Sequence, residues 1–231
     1  MPRRNRVDPW GDLHAVDSRG MFTGNRGCLV DQDGRVVRHH RGSLWIACLT
    51  TVKEWKAPLA CSNRWTPLFF LDDAVALAAG HRPCGLCRRG AYISYRDAVA
   101  TWSKQPVTAP GLNRRLAAER LNRGRGIDRA MNRRLWQTSI DLLPVGAVFV
   151  GPDRAPQLVL ADHVRAFTFD GWGAPVERPR STYVQVLTPL TSVAALTHGY
   201  EPVLHPTASV KSRTGAEKEE PFSDSRSRSR G

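Results

Sequence analysis

Cys84 and Cys87 are separated by two residues in the stretch GHRPCGLCRRG, residues 80–90. A Cys-x-x-Cys turn sets two thiolates at nearly the separation a tetrahedral metal requires, and its own backbone N–H groups can point at the sulfurs. Structural zinc takes four ligands, so two more must come from elsewhere. Cys48 is the best third, because it sits in the apolar run Trp45-Ile46-Ala47-Cys48-Leu49, which reads as a strand. The fourth stays open among Cys61, Cys28, His40 and His39, in that order. Cys61 lies in the loop-like APLACSNRW, and Cys28 lies on a hairpin arm ahead of the Cys48 strand. Redox chemistry is the rival use of such a pair, but a thioredoxin-like site follows a strand, and none is expected to lead directly into this one. Five cysteines, unevenly spaced, are too few for a disulfide scaffold.

The second constraint is charge. The 231 residues carry a formal net charge of +13, and 29 of the 34 basic residues are arginine. Residues 1–105 carry +7, residues 106–135 carry +6, residues 136–207 carry −2 and residues 208–231 carry +2. A positive field concentrated in this way points to polyanions, nucleic acid first, with DNA ahead of RNA. The candidate backbone contacts are Arg88 and Arg89 beside the cysteine pair, and Arg114, Arg115, Arg129, Arg133 and Arg134 in the stretch 113–134. RHHRG, residues 38–42, reads as a basic strand end facing solvent whose histidines can touch phosphate. GMFTGNRGC, residues 20–28, reads as a tight turn, since it lacks the Lys-Ser/Thr of a phosphate-binding loop.

These residues need elements to hold them. Asp33-Gly34 between apolar runs predicts a hairpin turn, Trp45–Val52 a buried strand and WTPLFF a third strand. DDAVALAAG predicts a short helix capped by Asp72 and ended at Gly80, and residues 88–102 predict a second, with Tyr92, Tyr95, Val99 and Trp102 on one face. Gly124 and Gly126 split the Arg-rich stretch into two short helices. In the second, Ile127, Met131 and Leu135 form the docking stripe, with Arg129 and Arg133 opposite. Short strands with Gly/Pro turns follow from Asp141, then a helix at 191–198. The expected class is α+β: a zinc-binding module over 1–104, a basic helical connector over 105–138, a small β-rich domain over 139–207 and a disordered tail over 208–231. No apolar run of membrane-spanning length and no secretory signal are present, so a cytoplasmic protein without membrane contact is expected.

The segment LFFLDDAVALAAGHRPCGLCRR resembles the zinc-binding part of the Ada-type methyl-phosphotriester acceptor domain. The likeness covers about residues 65–89 and is most specific over Gly80-His81-Arg82-Pro83-Cys84-x-x-Cys87. It implies that Cys84 and Cys87 are zinc ligands, completed in that family by two earlier cysteines, one of which accepts a methyl group from DNA. The chain also resembles bacterial proteins that carry the GNRG and AGHRPC elements. The leading expectation is a zinc-binding protein with a structural ion that contacts nucleic-acid backbone. The rivals are an enzyme, either a thiolate methyl acceptor or a hydrolase, and a protein-interaction module.

Overall fold

The computed structural model describes residues 2–51 and 64–209, and within them the chain is α+β, with four α-helices and two six-stranded sheets. The first sheet is built from β1 (Arg6–Val7), β2 (Leu13–His14), β3 (Phe22–Asn25), β4 (Ile46–Leu49), β5 (Leu68–Phe70) and β6 (Arg82–Pro83), in the order β2-β1-β5-β3-β4-β6. Most pairs are antiparallel, but β1 runs parallel to β5 and β4 parallel to β6. The second sheet is antiparallel: β7 (Trp136–Ser139), β8 (Val148–Val150), β9 (Pro156–Val159), β10 (His163–Thr168), β11 (Gly171–Glu177) and β12 (Tyr183–Val186), in the order β11-β10-β9-β8-β12-β7.

The helices are α1 (Asp73–Ala78), α2 (Arg89–Ser103), α3 (Ala109–Arg120) and α4 (Leu190–Thr197). Local sequence accounts for their ends. Asp72 caps α1 by accepting the Val75 N–H at 3.0 Å. The chain leaves α1 through Gly80 at φ +85, a left-handed position that glycine takes without a Cβ penalty. Thr108 caps α3 by accepting the Gly111 N–H. The Tyr95 and Val99 side of α2 is fully buried, as its spacing predicts. None of the helices is long and apolar enough to cross a membrane.

The hairpin expected at Asp33-Gly34 forms its turn, yet its arms share only one bridge, Val30 with Val36. The strand expected over Trp45–Val52 is shorter, Ile46–Leu49, and Val52 itself lies outside the described residues. The largest correction concerns the stretch after Gly126. It is a single 3-10 turn, Ala130–Asn132, rather than a helix, and its polarity is inverted: Met131 is 83% exposed while Arg129 and Arg133 are buried. The reason is remote in sequence. Asp12 accepts the backbone N–H groups of Arg129 and Ala130, which pins the segment against the first sheet.

Both core clusters draw on residues before and after the linker at 104–111, and α1, which contributes to both, starts at two adjacent buried carboxylates. Asp72, fully buried, accepts from Val75 N, from Trp172 Nε1 at 2.6 Å and from His205 N at 3.0 Å. Asp73 takes both arms of the Arg88 guanidinium, at 2.6 and 2.7 Å, together with Tyr200 Oη and Val203 N. A buried ion pair that loses one partner leaves an uncompensated charge, at a cost of about 3–5 kcal/mol. Asp73→Ala is therefore expected to lower the free energy of unfolding by about that amount. Urea denaturation checks this, and a loss below about 1 kcal/mol, the range of exposed pairs, would contradict the role given to the pair.

Candidate metal centre

Strand register brings the cysteines together. Cys48 lies on β4 with Thr23 of β3 opposite it, and its neighbour Ala47 stands opposite Pro83 of β6. The Cys84 N–H donates to the Ala47 carbonyl at 2.9 Å, so the chain enters the Cys-x-x-Cys turn already fastened beside β4. A two-residue strand thus does lead into the pair, contrary to expectation. The turn closes when Arg88 N–H donates to the Cys84 carbonyl, and α2 starts at once, with Cys87 just ahead of its cap.

The sulfurs of Cys48, Cys84 and Cys87 lie within 4.8 Å of one another, close enough to hold a metal ion. Sulfurs at about 2.3 Å from a tetrahedral zinc stand about 3.8 Å apart, so little movement would close the three on an ion. The backbone around them favours thiolates. Leu86 N–H donates to Cys84 Sγ at 3.4 Å, Cys87 N–H also points at Cys84, and Leu49 N–H points at Cys87. The Cys84 thiol is pulled down to about 5, chiefly by its hydrogen bond with Cys48. The same bond pushes Cys48 up, and burial pushes Cys87 up. One proton leaves this group readily; the other two are held back, because three adjacent thiolates repel unless a cation lies among them.

The other ligand candidates fall elsewhere. Cys61 lies outside the described residues. Cys28 is buried apart from the cluster, its thiol donating to the Val30 carbonyl at 3.5 Å. His39 and His40 belong to a second constellation that sequence reasoning missed. Arg26, fully buried, lies over one side of the Trp45 ring at 4.1 Å, and Arg120 also lies over that ring at 3.8 Å. Arg26 donates to the Gly11 carbonyl and to His81 Nε2, and it touches His39 Nε2 at 2.8 Å. RHHRG is thus not simply a solvent-facing strand end: Arg38 and Arg41 are exposed, but His39 is 2% exposed. The available signal was GNRG. Gly27 sits at φ +96, where an added Cβ would be 2.8 Å from the Arg41 carbonyl oxygen, and this turn sends Arg26 inward.

The seven arginines expected to meet nucleic acid divide. Arg89, Arg114 and Arg134 are exposed and Arg115 is half-buried over Trp102. Arg88 is held by Asp73, Arg129 donates to Asn132 and to the Asn122 carbonyl, and Arg133 donates to the carbonyls of Ala78 and Leu187. Arg88 and Arg133 are spent on the fold, whereas Arg129 is fixed by it with N–H donors to spare.

Burial, and then the Arg26 charge, hold His39 down at about 2, and the same two causes push His81 well below its ordinary value. Both stay neutral in the folded state, whereas in the unfolded chain they take up protons below about pH 6.5. The unfolded state then binds more protons, so stability falls as pH drops, by up to about 1.4 kcal/mol per pH unit for each histidine. Urea midpoints between pH 7.5 and 5 should show this decline, and His39→Gln should make it shallower by about one proton. A midpoint independent of pH over that range would refute the assignment.

No family model, curated protein or solved structure matches this chain.

Proposed function

We propose that the chain is a zinc-binding protein of a reducing compartment such as the cytoplasm, in which Cys48, Cys84 and Cys87 hold a structural ion and the exposed arginines nearby contact nucleic-acid backbone. The observation that carries the reading is the convergence of three thiols from a strand, a strand end and a helix start. Clustered soft thiolates suit zinc, which has no geometric preference of its own beyond the tetrahedron these ligands offer. The likeness of residues 65–89 to the Ada-type segment supports the choice of zinc, and Cys61 is retained as the fourth ligand on the strength of the sequence. The charge of +13 and the exposure of Arg89, Arg114 and Arg134 support the polyanion partner, DNA ahead of RNA.

The expected content is one zinc per chain by elemental analysis, lost in the Cys84→Ser/Cys87→Ser double variant together with the folding of the first sheet. Cys61→Ser should weaken retention against a chelator, and Cys28→Ser should leave it unchanged. Chelation that leaves the thermal melt where it was would end the structural-metal reading, because a site of this kind contributes its binding energy to folding. For the partner, Arg89→Ala/Arg114→Ala should reduce the slope of log affinity against log salt by about 2. Absence of any DNA or RNA binding at low salt would remove the partner and leave the metal untouched.

A further inference from the structure

A cleft of about 350 Å³ opens between the His40–Ser43 turn and the end of α3. Its charged lining is of one sign: Arg120, Arg123 and Arg129, with His40 beside them and no carboxylate. Arg120 is 2% exposed and is fixed by donating to the carbonyls of Gly80 and Ser43 at 3.0 and 2.8 Å. Arg129 is 5% exposed and is fixed by Asn132 Oδ1 and the Asn122 carbonyl. A guanidinium has five N–H donors, so each retains donors beyond these bonds. Behind them, Arg26 Nη2 and Arg133 Nε and Nη1 are buried with no hydrogen-bond partner. Among the described residues no carboxylate forms an ion pair with Arg26, Arg120, Arg123, Arg129 or Arg133. Asp8 and Asp12 act on Arg26 and Arg133 only through space, and the Asp12 carboxylate accepts the N–H groups of Arg129 and Ala130.

Buried like charges with no directly paired counter-charge are costly, and in a low-dielectric cleft their field is focused outward. Burial and then Arg133 push Arg120 down to about 9, while burial, and then the charges of Arg120, Arg26 and Arg129, hold His40 down at about 4. An anion in the cleft would relieve this repulsion. Rigid guanidinium forks match the oxygens of a phosphate group. Trp45, 1% exposed and covered by Arg26 and Arg120, offers no face for a base to stack on.

We propose that this cleft binds a phosphate group, carried by a free nucleotide or by a nucleic-acid strand, through Arg120, Arg123 and Arg129. Nucleic acid as the source rests on the partner reading given above; the phosphate site itself does not. The test uses the full, metal-loaded chain at low salt, with inorganic phosphate, adenosine monophosphate and a short single-stranded oligonucleotide, read by calorimetry. Arg123→Glu changes an exposed side chain and Ala117→Glu places a carboxylate in the cleft while leaving every arginine in place; circular dichroism and zinc content verify that both fold. Saturable millimolar binding of phosphate and the nucleotide is expected, weakened at least about tenfold by either variant. No saturable phosphate binding, or binding that both folded variants retain, overturns the site. Displacement of phosphate by the oligonucleotide identifies the strand as the source; phosphate binding that the oligonucleotide cannot displace supports the site for free phosphate esters and counts against the nucleic-acid partner. Oligonucleotide binding indifferent to both variants, without phosphate binding, overturns the site and leaves that partner standing.

Discussion

Two neighbouring carboxylates in the interior, Asp72 and Asp73, must each be surrounded by donors, and the chain is arranged to supply them. The donors come from α1 itself, from Arg88 at the close of the cysteine turn, from Trp172 on β11 and from the segment 200–205. Asp73 N–H in turn donates to the Val203 carbonyl, which ties that segment down from both sides. A charged side chain is tolerated at such depth only when its lone pairs are met, so these contacts hold as a set. The set also orients the candidate metal centre, because Arg88 follows Cys87 directly and its guanidinium is anchored at Asp73, with the Phe22 ring 3.9 Å away.

The other charge-bearing interior is of opposite character. Around Trp45 gather Arg26, Arg120, His39, His40 and His81; the two guanidinium groups bond carbonyls and lie over the ring, and Asp12 approaches only His39, at 3.9 Å. Backbone carbonyls bring partial negative charge without a full counter-charge, so the guanidinium groups are positioned but not neutralised. Positioned, unneutralised cations at the base of a cleft form a preorganised receptor, since no side chain needs to reorder when an anion arrives.

Much of this was legible in the sequence where the signal is local. Asp72 and Gly80 bracket α1 because capping and left-handed exit depend on residues three or four apart. The Cys84–Cys87 spacing marks a metal turn by itself, and Cys48 stood out as third ligand because a strand through its apolar run could bring the thiol to the same core edge. What stayed hidden depends on remote partners. A helical stripe was the natural reading of Ile127, Met131 and Leu135, yet Asp12, more than a hundred residues earlier, sets that segment's conformation and turns Met131 outward. The same holds for the arginines: a count of charge cannot separate Arg89, which meets solvent, from its neighbour Arg88, which meets Asp73.

The short strand β6 has a further consequence. It is the border of the first sheet, only two residues long, and among the described residues β4 has no other partner on that side. Two residues of parallel pairing are a weak hold, and the sulfur cluster sits where β4, β6 and α2 meet. An ion bound there would act as a selvedge, keeping the fabric from fraying at its margin. If it were stripped away and β6 lifted, the row of unpaired N–H and C=O groups along Ile46–Leu49 would face outward, an open template for another chain. Metal occupancy, as proposed above, would thus bear on keeping neighbouring copies apart as well as on holding one copy together.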